Sequence, residues 1–216
     1  MNIPNSLSLT RICLIPLFIA MYFVPYEWGA YAAIAVFLLC CFTDFLDGYI
    51  ARKYHMVTDL GKLLDPIADK ILVCAALFCV VATNPLQYFY GSVFDMSSEF
   101  AASFGTIFLT VGSILILARE LLISAVRMIA ASKGIVVQAN VFGKIKTVTQ
   151  DVSLPLLILL NVAKMYQALS MRLNSATLWT DVIWLISVIV FGLAVIMTIV
   201  SGVIYMVQNR KVFENK

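Results

Sequence analysis

The chain has 216 residues, of which 62% are hydrophobic and only 12% charged, with a formal net charge of +3. Soluble domains run at roughly 45–50% apolar and about 25% charged, so an ordinary soluble domain is excluded. The small basic excess does not argue for nucleic acid. In a chain solvated by lipid it reflects cytoplasmic loops and anionic headgroups.

About 20 helical residues cross a bilayer core of about 30 Å. The length therefore has room for roughly six crossings in one membrane domain over residues 1–216, with no large aqueous part. Charge-free stretches predict a first helix from Leu7 to Val24 and a second from Trp28 to Ala51. A third runs from Gly61 to Ala82, and Asn84-Pro85 ends it in a loop that reaches Glu99 without a Lys or Arg. The fourth spans Ala102 to Val126, the fifth Ile145 to Ala163 and the sixth Val182 to Val207. The first segment reads as a retained helix, because Arg11 lies inside it and no small-residue cleavage site follows before Trp28. Cys13, Cys40, Cys41, Cys74 and Cys79 all fall in apolar runs without a CxxC spacing, so neither disulfides nor a thiolate metal site is expected.

Six crossings put both termini on one side. That side carries Arg52, Lys53, Lys62, Arg127, Lys133, Lys144, Lys146, Arg210, Lys211 and Lys216, against Lys164 and Arg172 opposite. The positive-inside rule then makes the termini cytoplasmic. Tyr22, Tyr26, Trp28, Trp179 and Trp184 fall where an outer aromatic belt is expected.

An acid inside a membrane helix costs about 2.5–3.5 kcal/mol on insertion scales. The second and third helices carry four of them. Asp44 and Asp47 are three residues apart and Asp65 and Asp69 four, so each pair shares one helical face. The short link from Arg52 to Gly61 makes these helices antiparallel neighbours, which can gather all four carboxylates at the cytoplasmic end. Unpaired, they would repel and protonate; divalent cations remove that problem. Oxygen-only ligands select Mg²⁺ or Mn²⁺ over zinc, and the single His55 reads as a loop residue. Two cations shared by four carboxylates would suit a diphosphate. The competing readings are polar helix contacts, an intramembrane prenyltransferase, or an ion-coupled transporter. A transporter would place its acids near the midplane within internal repeats, and no repeat is found.

The run Asp44-Phe-Leu-Asp47-Gly48-Tyr-Ile-Ala51-Arg52, then eight residues, then Gly61-Lys-Leu-Leu-Asp65-Pro-Ile-Ala-Asp69 resembles the signature of the CDP-alcohol phosphotransferases at every fixed position. The opening Asn2-Ile-Pro-Asn5 with Arg11, the run Ala118-Arg119-Glu120 through Ser124-Ala125 to Arg127, and Gly143-Lys144-Ile-Lys146-Thr147 resemble, more narrowly, the family's bacterial phosphatidylglycerophosphate synthases. The resemblance implies an all-α, polytopic bundle in the bacterial inner membrane, with its active site at the cytoplasmic face, acting as a homodimer. It implies transfer of the phosphatidyl group of CDP-diacylglycerol to an alcohol, with release of CMP. Asp44, Asp47 and Asp65 would hold one metal ion and Asp44, Asp65 and Asp69 a second, with Asp69 also the general base. Asp47, Gly48, Ala51, Arg52 and Gly61 would bind the nucleotide. Arg52 stands eight residues beyond Asp44, about 12 Å along a helix, and the small residues would let the nucleotide approach the backbone. Arg11, Arg119, Arg127, Lys144 and Lys146 are the expected acceptor-phosphate site, since arginine binds phosphate through a planar fork. A pair between Arg119 and Glu120 or Asp151 would also explain Arg119. Glycerol 3-phosphate is the expected acceptor, with inositol phosphate, serine and phosphatidylglycerol as alternatives.

Overall fold

The computed structural model describes residues 3–53, 59–88, 98–133, 141–173 and 178–210. These residues form six α-helices and a short 3₁₀ turn, with no strand among them. The helices are α1 (Ile3–Tyr22), α2 (Glu27–Lys53), α3 (Asp59–Thr83), α4 (Ser98–Ser132), α5 (Val141–Leu173) and α6 (Leu178–Gln208), and the turn is Pro85–Tyr88. All six predicted helices are present. α5 is the longest extension of its prediction, because polar residues beyond Ala163 continue a helix that hydropathy alone would end. His55, Asn2 and Lys211 lie outside the described residues.

Among the described residues, two helical stretches are long and apolar enough to cross a bilayer by composition, Ala102–Ser132 and Val182–Gln208. The apolar parts of α1 and α2 are shorter, Leu9–Tyr22 and Trp28–Asp44. Charges cut into the rest: Asp69 and Lys70 in α3, and Lys144, Lys146 and Asp151 in α5. Along α4, Ile107, Ile114, Leu121 and Met128 are exposed at seven-residue intervals, as are Val182, Ile189, Ile196 and Val203 along α6. Such continuous apolar stripes are foreign to a water-facing surface and suit acyl chains.

The helices alternate in direction, pinned at both ends by polar contacts. At one end Tyr22 of α1 meets Thr83 of α3 at 2.7 Å and accepts a hydrogen bond from Asn161 of α5 at 2.7 Å. Asn84 closes α3 there in the left-handed conformation, φ 38°, which asparagine tolerates. Its amide donates to the Ala102 carbonyl and to Thr106, tying α3 to the start of α4. Trp184 of α6 donates to the Leu86 carbonyl in the 3₁₀ turn. The main core gathers Phe18, Phe37, Leu77, Leu109, Leu154 and Phe191, all essentially inaccessible.

α4 and α6 cross closely at Gly112. A Cβ there would lie 2.6 Å from the Phe191 ring and 2.9 Å from Val195. Because that ring is fully buried, it has nowhere to move. Gly112→Ala should therefore destabilise the fold by about 1–3 kcal/mol. Thermal unfolding in detergent measures this, and an unchanged midpoint would show that the crossing is slack.

A second, smaller core of Ile123, Val126, Ala130 and Tyr205 joins α4 to α6 nearer the opposite end. Between the two cores the packing is interrupted by charge. That layer is the candidate site.

Candidate active site

Five helices each bring a charge to one layer. Arg11 of α1, fully buried, donates through Nη1 to Asp44 Oδ1 of α2 at 2.5 Å. Asp44 is half exposed, and Asp69 on α3 is exposed beside buried Ala68. The carboxylates of Asp44, Asp69, Glu120 and Asp151 are close enough to act electrostatically on one another, and Arg11 and Lys146 act on Asp69 with the opposite sign. Two accessible acids thus stand against two buried cations. Charges so poorly hydrated persist only when paired.

The cationic side is assembled around Glu120 of α4. Its Oε1 accepts from Arg119 Nη1 at 3.1 Å and, from α5, from the ammonium of Lys146, which is 2% exposed. Arg119 also donates through Nη2 to Ser201 Oγ of α6 at 3.1 Å. The arginine passes close to two glycines: its Cγ would be 3.3 Å from a Cβ at Gly202, and its Nη2 3.7 Å from one at Gly143. Small residues on α5 and α6 therefore make room for a guanidinium between helices.

The structure draws Arg11, Arg119 and Lys146 into this layer and leaves two expected partners at its margin. Lys144 is exposed. Arg127, two turns beyond Arg119, is exposed with its guanidinium 6.0 Å from the ring centroid of Tyr205. The expected pairing of Arg119 with Glu120 is present. Sequence reasoning did not single out Lys146 as the main counter-ion of Glu120, nor Ser201 or Gln150. The signal for the first pair was available, since a lysine and a glutamate inside apolar runs each require a partner. For Ser201 and Gln150, helix register alone is silent.

Asp47, Gly48, Ala51, Arg52, Gly61 and Asp65 lie on the described backbone of α2 and α3, but their side chains fall outside the described residues. The helical backbone carries Asp47 one turn after Asp44, and Asp65 one turn before Asp69. Among the described residues no three His, Cys, Asp or Glu side chains converge as a metal site. Asp44 and Asp69 supply two hard oxygen donors, mutually repelling and accessible, and the five cysteines are free thiols set in helices. That donor chemistry fits Mg²⁺ or Mn²⁺ rather than a soft ion.

Over residues 1–200 the chain matches the family model described as CDP-alcohol phosphatidyltransferase. It is 34% identical over 220 residues to the CDP-diacylglycerol–glycerol-3-phosphate 3-phosphatidyltransferase of Bacillus subtilis (strain 168), covering 96% of this chain and 95% of that protein. A protein of the same name from Rickettsia bellii (strain RML369-C) is 30% identical over 212 residues, 98% of this chain and 97% of its own length. A cardiolipin synthase (CMP-forming) of Oryza sativa subsp. japonica is 37% identical over 162 residues, 73% of this chain but 46% of that longer protein. With its acids on α2 and α3 and a match across nearly its whole length, the chain belongs to the CDP-alcohol phosphatidyltransferase family.

Proposed function

We propose that the protein transfers the phosphatidyl group of CDP-diacylglycerol to sn-glycerol 3-phosphate, giving phosphatidylglycerophosphate and CMP. The observation that carries this reading is the end-to-end similarity to the Bacillus subtilis enzyme. The charged layer supports it: accessible carboxylates face buried cations, which suits a reaction between two phosphate-bearing substrates. Arg119 Nε is buried with no acceptor among the described residues, an opening for an incoming phosphate oxygen.

In this reading the phosphate of the acceptor docks against Arg119 and Lys146, with Arg127 and Lys144 at the rim. Asp69 takes the proton from the acceptor's terminal hydroxyl. The resulting oxygen attacks the phosphorus that bears diacylglycerol, the bond from that phosphorus to the CMP oxygen breaks, and CMP departs. Arg11 holds Asp44 in place and moderates the repulsion between Asp44 and Asp69. Gly48, Ala51, Arg52 and Gly61 receive the nucleotide. Two divalent cations held by Asp44, Asp47, Asp65 and Asp69 would neutralise the diphosphate and favour ionisation of the acceptor hydroxyl. Six membrane crossings with cytoplasmic termini, in a homodimer of the bacterial inner membrane, complete the proposal. The cation bias of the loops and the apolar stripes of α4 and α6 support the embedding.

Purified protein in detergent, given CDP-diacylglycerol and a panel of glycerol 3-phosphate, serine, inositol phosphate and phosphatidylglycerol, should release CMP fastest with glycerol 3-phosphate. A chelator should abolish release, and Mg²⁺ or Mn²⁺ should restore it. Preference for phosphatidylglycerol, serine or inositol phosphate would overturn the acceptor. Full activity in metal-free buffer would overturn the cation site.

A further inference from the structure

One buried polar group in the charged layer has no task in the chemistry above. Gln150 is 3% exposed, and its Oε1 accepts no hydrogen bond from a described residue. Leaving a buried acceptor unsatisfied costs about 1–3 kcal/mol, and such an atom in a native fold calls for a reason. The neighbouring hydroxyls of its own helix are already committed: Thr147 donates to the Gly143 carbonyl, Thr149 to those of Ile145 and Lys146, and Ser153 to the Gln150 main-chain carbonyl at 2.9 Å.

Its place narrows the reason. Gln150 follows Lys146 by one helical turn on α5, so the two share a face with Cβ atoms about 6 Å apart. It directly precedes Asp151, whose carboxylate interacts with those of Asp44 and Asp69 and with the Lys146 ammonium. Beyond it the same face turns apolar, with Leu154, Leu157 and Ile158 fully buried in the main core. Gln150 therefore stands where the charged layer gives way to the packed apolar core. Glycerol 3-phosphate brings a matching need. Its terminal hydroxyl attacks and its phosphate takes the cations, but its central hydroxyl does neither, and in a water-poor layer that hydroxyl must find an acceptor.

We infer that Gln150 Oε1 accepts the hydrogen bond of the acceptor's central, non-attacking hydroxyl, and so selects a glycerol phosphate over a simple hydroxyalkyl phosphate. The inference rests on the glycerol 3-phosphate reading given above. No bond forms or breaks at Gln150; it recognises and orients. Sites that hydrogen-bond a substrate hydroxyl discriminate against analogues lacking it, because the buried acceptor is then left unpaired.

The test compares glycerol 3-phosphate with 3-hydroxypropyl phosphate, which lacks only the central hydroxyl, in the wild type, Gln150→Leu and Gln150→Met. The wild type should favour glycerol 3-phosphate in kcat/KM by about 10–100-fold, the factor that one buried acceptor left unpaired is worth. Both variants should lose most of that preference through a fall with glycerol 3-phosphate. Turnover of the deoxy analogue and the KM for CDP-diacylglycerol should stay within about threefold, the scatter expected of a site left otherwise intact. Preference retained in both variants overturns the inference and leaves the proposed reaction standing. Equal loss with both acceptors in both variants also overturns it, making Gln150 a packing residue. A wild type that uses neither phosphate would sink the reaction itself, and the inference with it.

Discussion

Asp69→Asn should lower turnover by about 10²–10⁴, the range lost when a positioned general base is removed. The substitution preserves size and one carbonyl oxygen, so α3 and its packing through buried Ala68 and Leu72 should be undisturbed. What disappears is the carboxylate that can take the acceptor's proton. Asp69 is solvent-accessible yet within the electrostatic influence of Asp44, Glu120, Arg11 and Lys146. The KM for CDP-diacylglycerol should change far less than turnover, since the asparagine keeps one oxygen ligand and the other three acids still hold the cations that would receive the diphosphate. Steady-state kinetics with each substrate varied in turn make the measurement. Turnover within a few-fold of wild type would remove Asp69 from the proton path, and a matching rise in KM for the lipid would make it a binding residue instead.

The acids on α2 and α3 were legible because membrane helices make charge conspicuous. A soluble helix can carry Asp44 and Asp47 at no cost, whereas here each acid demands an explanation. Helix number was legible for the same reason, through the gaps that charges leave between apolar runs. Helix ends were less so, as α5 continues to Leu173 and α4 reaches Ser132, past the apolar stretches that announced them. Side-chain pairing was least legible. Nothing in the spacing of Arg11 and Asp44, 33 residues apart, fixes their contact. It follows from α1 packing antiparallel on α2, which puts the start of one beside the end of the other. Similarly, Lys146 was read as a ligand for an incoming phosphate from its type and its place near the start of a helix. Packing of α5 against α4 adds that, before any substrate arrives, Glu120 already occupies it.

That preoccupation makes Glu120→Gln the substitution with the largest expected effect on stability. Lys146 is buried and Arg119 half-buried, and the Glu120 carboxylate serves both. Removing its charge leaves two cations facing each other in a layer poor in water. Breaking a buried pair by deleting one partner costs roughly 3–5 kcal/mol, and because Glu120 is itself 24% exposed, the low end, about 3 kcal/mol, is expected. For a chain of this size that corresponds to about 6–12 °C in midpoint. Cys40 and Cys79 are buried free thiols, so a fluorogenic thiol dye reports the transition on heating in detergent. Lys146→Met should cost less, because its flexible stem is replaced in kind and Glu120 keeps Arg119. The double variant should then be less damaged than the sum of the two, since the pair is lost only once. Strict additivity would show that the ion pair is incidental to the fold. The single Glu120→Gln variant also tests the acceptor site. If the acceptor phosphate docks on Arg119 and Lys146, glycerol 3-phosphate supplies the negative charge that the substituted amide lacks. Added ligand should then raise the midpoint of Glu120→Gln by more than it raises that of the wild type, where phosphate must compete with the resident carboxylate. Equal shifts in both proteins would place the phosphate elsewhere.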